Sequence, residues 1–468
     1  MIFNSFSFWM VFPFIFILYW LIPSKLSNWK KWFLIFVSYL LYMNWKPAYA
    51  LILFSVTLVT FYGAKTVCGL TDGGCKKRLI IVLSTLGLLP LLFFKYYNFI
   101  NESFSTLLSH IGLRFELPGL NWMVPVGISF FTFQSVSYLF DVYYGKMKQE
   151  RSLTNYVLFV SFFPQVTSGP ISKANELIPQ IDSPKPFCYT QATKGLQWLL
   201  WGMFLKVVVA DRLGLCVDTI YGNYKYYSGA SLLLASIFYT LQIYGDFAGY
   251  SFMAIGIAKT LGINLINNFE RPYFSQSVTE FWRRWHISLS RWLKDYVYIP
   301  LGGSRCSQLR SYMNIMVTFL VSGIWHGANW TFMIWGAMHG MVQVIEKWLG
   351  YNKHSSTWVG IFRVCITFTI VNIAWIFFRM PTIGDAMEVI GRMISSFFKG
   401  TVYNPKKTEL LFYIIAISIM LLKETREEFF PSRFFKNKWV RFTSYVILFV
   451  MIIMMGVLDS GQFIYVSF

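Results

Sequence analysis

Long apolar runs recur from one end of the chain to the other, and no other sequence feature constrains the fold as strongly. A soluble domain is about 45–50% apolar and about 25% charged, whereas this chain is 56% hydrophobic and 13% charged. An ordinary soluble globule is thereby excluded. A disordered chain is excluded too, since 20% of the residues are aromatic and aromatic side chains favour burial. The runs that can cross or deeply enter about 30 Å of hydrocarbon lie near residues 8–22, 32–45, 48–64, 79–98, 122–144, 154–168, 195–213, 229–257, 312–346, 361–379, 409–422 and 440–457.

These runs predict one all-α, polytopic integral membrane domain over residues 1–468, a helical bundle of about 11 spans. Several runs are short, and the run at 312–346 is interrupted by Gly323, Gly327 and Asn329. Non-helical backbone persists at membrane depth only where protein or a water-filled cavity surrounds it. We therefore expect re-entrant segments, a hairpin over about 312–346 and a central tunnel.

The basic residues predict the orientation of the chain. Short cytoplasmic loops collect Lys and Arg, and 30 of the 41 basic residues fall in the loops that are cytoplasmic if the N-terminus lies outside. Both termini are then outside, and the 312–346 hairpin enters from the cytoplasm. These loops also account for the formal charge of +20, so no nucleic acid is predicted as a partner. The first apolar run lacks the flanking features of a signal peptide, which predicts a retained span.

An amphipathic helix is predicted over about 278–296. Ser277 and Glu280 match a capping box, and Trp282, Trp285 and Trp292 share one face at about 100° per residue. The basic side chains on the opposite face are Arg283, Arg284, Arg291 and Lys294. Such a helix lies in the membrane interface, with its aromatic face down and its basic face toward anionic headgroups or an anionic ligand.

Two histidines lie well inside the apolar runs, where hydrocarbon makes an ionisable side chain costly and therefore a functional candidate. His326 has glycines on both sides, and a neutral imidazole there is suited to general-base chemistry. The alternative is a buried histidine that bonds a neighbouring helix. His339 lies among small residues and is expected to pack. His286, beside the aromatic face of the predicted helix, either lines a ligand site or marks the lipid boundary.

Asp246 lies deep in an apolar run, so a partner must stabilise it. It either orients a catalytic histidine or bonds a broken helix end, whereas Asp211 lies at a span end, where the membrane interface explains it. The sequence contains no GxSxG elbow, P-loop, HExxH motif or dense acidic cluster. Hydrolase and nucleotide-binding functions therefore lose support, and no metal site is predicted.

Two strings in the second half of the chain resemble a known family. They are FWRRWHISLSRWLKDYVYIPLGG over 281–303 and GIWHGANW over 323–330. Both are similar to the membrane-bound O-acyltransferases, and most similar to the branch that O-acetylates bacterial alginate. Shorter matching stretches extend this resemblance over nearly the whole chain.

The resemblance implies a multi-helix fold with a tunnel through a thin central region, which joins a cytoplasmic acyl donor to an outer acceptor. His326 takes the position of the family's catalytic histidine, and His286 takes a second active-site position that the family fills with Asn, Asp or His. The residues expected to bind the donor or line the tunnel are Arg283, Arg284, Trp285, Trp325, Asn329 and Asp246. The arginines either attract the phosphates of CoA or contact lipid headgroups.

The implied reaction moves an acetyl group from a cytoplasmic thioester, acetyl-CoA, to a hydroxyl of an exported polysaccharide or of an extracytoplasmic partner protein, without a bound cofactor. The protein would be a multi-pass protein of the bacterial inner membrane, surrounded by membrane lipids. Three alternatives stay open: D-alanyl transfer to teichoic acid from a carrier-protein thioester, a proton-coupled transporter or flippase, and a structural assembly subunit. Against the transporter, no pair of matching halves is visible in the sequence.

Overall fold

The computed structural model describes residues 3, 5–113, 117–351, 358–430 and 437–457. Within these ranges the chain forms helices and no β-strand, with one isolated bridge between Tyr227 and Thr401. This confirms the predicted all-α class. The chain divides into two compact units, one comprising residues 7–194 and 257–266, the other comprising the described parts of 2–6, 195–256 and 267–468.

The first unit contains nine helices in its described part. They are α1 (Phe6–Leu21), α2 (Ser27–Met43), α3 (Pro47–Gly69), α4 (Gly73–Leu91), α5 (Tyr97–His110), α6 (Ile128–Tyr143), α7 (Leu153–Ser161), α8 (Phe163–Val166) and α9 (Ala174–Asp182). Pro23 and a short 3₁₀ turn precede α2, and the chain bends by 104° between α1 and the segment that includes α2. A π-helical segment, Leu92–Tyr96, follows Pro90 and joins α4 to α5, because proline removes a helical hydrogen bond.

The count of basic residues in cytoplasmic loops included Lys30 and Lys31 in a loop over 25–31. Both lysines lie instead within α2 and are buried. Lys31 pairs with Asp182 at 3.0 Å, and Asn155 donates to the same carboxylate at 3.0 Å. The Lys30 ammonium lies 4.5 Å from the ring centroid of Trp20. A carboxylate and an aromatic face thus compensate the burial of both charges.

The second unit contains the remaining helices of the described residues. They are α10 (Tyr189–Met203), α11 (Asp211–Gly222), α12 (Gly229–Thr260), α13 (Val278–Arg284), α14 (Ile287–Leu293), α15 (Gln308–His326), α16 (Trp330–Trp348), α17 (Trp358–Arg379), α18 (Ile383–Ser395), α19 (Lys407–Phe429) and α20 (Lys438–Met455). Two of these helices, α10 and α12, cross the boundary, because residues 189–194 and 257–260 belong to the first unit. The π-helical segments Phe204–Ala210 and Lys294–Tyr298 follow α10 and α14.

Glycines bring helix backbones into direct contact in the second unit. A Cβ atom at Gly249 of α12 would lie 2.8 Å from the carbonyl oxygen of Gly202 in α10. In the α15–α16 hairpin, a Cβ atom at Gly323 would lie 2.3 Å from the Phe332 carbonyl oxygen, and one at Gly336 would lie 2.4 Å from that of Phe319. Small residues of this kind allow the close helix packing that is common in membranes.

Four helices among the described residues are long and apolar enough to cross a membrane: Pro47–Gly69, Gly73–His110, Trp358–Arg379 and Lys438–Met455. The bent pair Phe6–Leu21 and Ser24–Met43 brings the number to five if it counts as one span. Fewer helices pass this test than there are apolar runs, because several runs are divided into shorter helices. The run at 154–168, for example, forms α7 and α8.

Candidate active site

The tip of the α15–α16 hairpin holds His326 in a buried position. His326 is the last residue of α15 and is 3% exposed. Gly327 follows it, and a Cβ atom there would lie 2.1 Å from the ring of Phe332, so a larger residue would displace that ring. The imidazole lies against Trp335 and Phe378, with ring centroids 4.9 and 5.3 Å away.

His286 lies at a break in the predicted amphipathic helix. Two short helices, α13 and α14, replace the single helix expected over 278–296, and His286 between them has left-handed backbone angles (φ 43°, ψ 53°). Trp285 is 1% exposed and packs on Phe281 and Trp375, at centroid distances of 5.4 and 5.2 Å. The expectation that this aromatic face meets lipid is therefore wrong, because other aromatic side chains of the protein cover it.

The start of α13 follows the predicted capping pattern in part. Ser277 accepts a hydrogen bond from the Glu280 backbone N–H at 3.0 Å, as expected. The Glu280 carboxylate accepts instead from the Gln276 backbone N–H at 2.9 Å. The buried Glu346 of α16 accepts from the backbone N–H groups of Val278 and Thr279. It thereby joins the His326 hairpin to the helix that precedes His286.

The two imidazole rings are neighbours. Their centroids are 6.5 Å apart and their planes are inclined by 73°. Trp325 lies beside both, with its ring 5.9 Å from His286 and 5.0 Å from His326. Burial lowers the pKa of His286, which leaves its imidazole neutral at neutral pH. An aromatic enclosure of this kind excludes water and strengthens electrostatic interactions within it.

The sequence profile of the membrane-bound O-acyltransferase family matches residues 2–377, which include both histidines. This chain belongs to that family. The match covers well over half of the chain, so the protein is a membrane-bound acyltransferase.

Relatives of this acyltransferase are named for alginate, peptidoglycan and teichoic acid. The chain is 36% identical to a protein named probable alginate O-acetylase from Pseudomonas syringae pv. tomato, over 85% of this chain and 75% of that protein. It is 35% identical to the peptidoglycan O-acetyltransferase of Helicobacter pylori, over 79% of this chain and 75% of that one. The teichoic acid D-alanyltransferase of Bacillus subtilis is 27% identical over 54% of this chain and 68% of its own length.

Asp246 has the partner that its depth in an apolar run requires, and that partner is a lysine. Lys206, in the π-helical segment after α10, places its ammonium 2.6 Å from Asp246 and 2.7 Å from Asp211. All three residues are at most 2% exposed. Asp246 therefore forms a buried ion pair, and its role in orienting a catalytic histidine stays a prediction. The interface explanation for Asp211 is wrong, because its carboxylate is enclosed by protein.

The predicted donor-binding arginines differ in their surroundings. Arg283 is exposed, and its contact with the donor or with lipid headgroups stays a prediction. Arg284 is instead occupied by carboxylates, Glu280 at 2.7 Å and Glu428 at 2.9 Å. Arg271 pairs with the same Glu428 at 2.7 Å, and these two arginines lower the pKa of that carboxyl against the raising effect of its burial. Arg284 therefore ties α13 to the end of α19.

Asn329 and His339 have structural contacts. Asn329 caps α16 by accepting from the Thr331 N–H at 3.1 Å, and its amide donates to the Pro381 carbonyl at 2.8 Å. His339 is 1% exposed and its Nδ1 accepts from the Trp282 indole N–H at 3.3 Å. Packing, the role expected for His339, agrees with this position.

Sequence reasoning missed several residues that shape the site. Glu346 was detectable, because an acid inside the 312–346 run must have a partner. Glu428, and Asn268, which accepts hydrogen bonds from the backbone of Ile287 and Ser288, carried no comparable signal. Their importance comes from contacts with segments far away in the chain.

Proposed function

We propose that this acyltransferase moves an acetyl group from cytoplasmic acetyl-CoA to a hydroxyl of an exported polysaccharide or of an extracytoplasmic partner protein. The observation that carries the proposal is the pair of buried imidazoles, His326 and His286, 6.5 Å apart in an aromatic enclosure. Acetyl rather than alanyl is favoured because the two O-acetylating relatives are more similar to the chain, and over more of it, than the D-alanyltransferase. A transporter needs no such histidine pair.

The chemistry follows from a neutral imidazole beside a hydroxyl and a thioester. The oxygen of the acceptor hydroxyl attacks the carbonyl carbon of the thioester, and His326 takes the proton of that hydroxyl. The carbon–sulfur bond then breaks, and the proton passes from His326 to the departing thiolate, which leaves as the free thiol of CoA. The acetyl ester forms on the acceptor without any net proton released. His286 positions the donor or the acceptor against His326.

The proposed reaction can be tested by the identity of the group transferred. Cells that lack the native gene are complemented with this chain, and the extracellular polysaccharide is examined by mass spectrometry for ester-linked groups. We expect acetyl esters. Alanyl esters would leave the fold assignment unchanged and would indicate that the donor is a carrier-protein thioester. Equal ester content with and without the chain would contradict an acyltransferase role in polymer modification.

The proposal extends to the arrangement in the membrane: about 11 spans with re-entrant segments, a central tunnel between donor and acceptor, and both termini outside the inner membrane. Residues 459–468 lie outside the described part of the structure. The tunnel gives acetyl-CoA on the cytoplasmic side and a hydroxyl on the outer side access to the same histidines.

Cysteine labelling tests this orientation, because the loops at 65–78 and 423–441 should be cytoplasmic. In a background without other cysteines, we expect Cys75 and Asn437→Cys to react with an impermeant maleimide only after permeabilisation. Lys399→Cys, in a predicted outer loop, is the matched control and should react in intact cells. Reaction of position 437 in intact cells would contradict the assignment.

The two neighbouring arginines should respond differently to replacement by glutamine. Arg283→Gln should raise the acetyl-CoA concentration needed for half-maximal rate about fivefold, the effect of one surface charge worth about 1 kcal/mol. Arg284→Gln should leave this concentration unchanged and lower the yield of folded protein, since Glu428 and Glu280 lose a partner. Rates are measured in inverted membrane vesicles with radiolabelled acetyl-CoA.

Arg78→Gln provides the matched control, since Arg78 is exposed and lies far from Arg283 in the sequence. This variant should change neither the acetyl-CoA concentration at half-maximal rate nor the yield of folded protein. If Arg283→Gln leaves the donor dependence unchanged, Arg283 contacts lipid headgroups and not the donor.

A further inference from the structure

Two residues other than glycine have a left-handed backbone in the described ranges, Arg271 and His286. This conformation is unfavourable for a residue with a Cβ atom and persists only where the surroundings impose it. At His286 it turns the chain between α13 and α14. Something outside these two helices must therefore hold the turn.

Asn268 holds the residues that follow His286 through two hydrogen bonds. Its backbone carbonyl accepts from the Ile287 N–H at 3.0 Å, and its side-chain Oδ1 accepts from the Ser288 N–H at 3.0 Å. Two residues along, the Glu270 N–H donates to the Arg284 carbonyl at 2.9 Å. In an unbroken helix these three groups would bond within the helix. The segment at 268–270 supplies their partners instead.

Asn268 is also placed where its effect reaches the imidazole. It is 2% exposed, so water does not compete for its oxygen atoms. The next residue, Phe269, lies against both the His286 ring and Trp285, at centroid distances of 6.1 and 5.0 Å. The segment at 268–269 thus fixes both the backbone at Ile287 and Ser288 and the ring of His286.

From this geometry we infer that Asn268 is a positioning residue, which acts on the reaction by holding His286 beside His326. The inference rests on the proposed function. Asn268 touches no reacting atom. It fixes the left-handed turn, and that turn directs the His286 imidazole to within 6.5 Å of His326.

Three variants of the full chain test the inference, with the initial rate of label transfer from acetyl-CoA in inverted vesicles as the measurement. Asn268→Ala removes the acceptor for Ser288 and should lower the rate about 10- to 100-fold, the effect of a displaced catalytic group. Asn268→Asp keeps an acceptor oxygen and should recover most of the rate. Asn267→Ala is the matched control, since the Asn267 side chain bonds Glu270 and not the turn, and it should retain the rate.

A double-mutant cycle separates positioning from a general loss of structure. Asn268→Ala should cost little further rate when His286 is already Ala, because its effect passes through that side chain. Among the three variants, only Asn268→Ala should show faster hydrogen exchange in peptides that contain Ser288. An unchanged rate in Asn268→Ala, equal losses in Asn268→Ala and Asn268→Asp, or additive losses with His286→Ala would overturn the inference. A wild-type chain that transfers no acyl group would instead contradict the proposed function.

Discussion

Replacement of His326 by Gln is expected to abolish acyl transfer while the protein still accumulates in the membrane. A general base contributes typically 10²–10⁴-fold to the rate, and glutamine fills much of the same volume without a group that can exchange protons in this way. His326→Ala should show the same loss of activity together with lower stability, because the ring fills the space against Trp335 and Phe378. The measurements are ester-linked acetyl groups on extracellular polysaccharide and a quantitative blot of the membrane fraction.

The other histidines supply graded controls for this experiment. His110 is exposed and bonds the Thr106 carbonyl, so His110→Gln should retain full activity. His339→Ala should lower protein yield through lost packing more than it lowers the rate per folded molecule. His286→Ala should cost less rate than His326→Gln if His286 positions a reactant and does not transfer the proton. Full acetylation by His326→Gln would refute the proposed base.

Lys206→Met is expected to produce the largest loss of stability of any single substitution considered in this protein. The substitution removes the ammonium group that pairs with the buried carboxylates of Asp211 and Asp246. Breaking a buried ion pair in this way costs about 3–5 kcal/mol. We expect a lower melting temperature in detergent and a lower yield of folded protein.

Two further variants test whether the lost charge causes the loss of stability in Lys206→Met. The triple variant Lys206→Met, Asp211→Asn, Asp246→Asn removes all three charges and should recover much of the lost stability, because neutral replacements of buried ion pairs are often tolerated. Lys194→Met replaces an exposed lysine and should change the unfolding free energy by less than about 0.5 kcal/mol. A Lys206→Met protein as stable as wild type would show that the cluster contributes nothing.

Local features of the sequence were sufficient for the helical class, the cap at Ser277 and the burial of His326. Each depends on neighbours close in the chain. Apolar content fixes what must be buried, and the glycines around residue 326 allow the two arms of a hairpin to approach. The same locality explains why the helical class was predictable, whereas the number of membrane spans stays a prediction.

The tertiary structure decided the break at His286 and the partners of the buried charges. The string around His286 has unbroken helical periodicity and no glycine or proline at the break, so no local rule places one there. The break arises because Asn268 and Glu270 satisfy backbone groups that a continuous helix would pair internally. Sequence reveals which residues carry charge. Only the folded chain selects Lys206 for Asp246 and Glu428 for Arg284, since these contacts join segments that lie 40 and 144 residues apart.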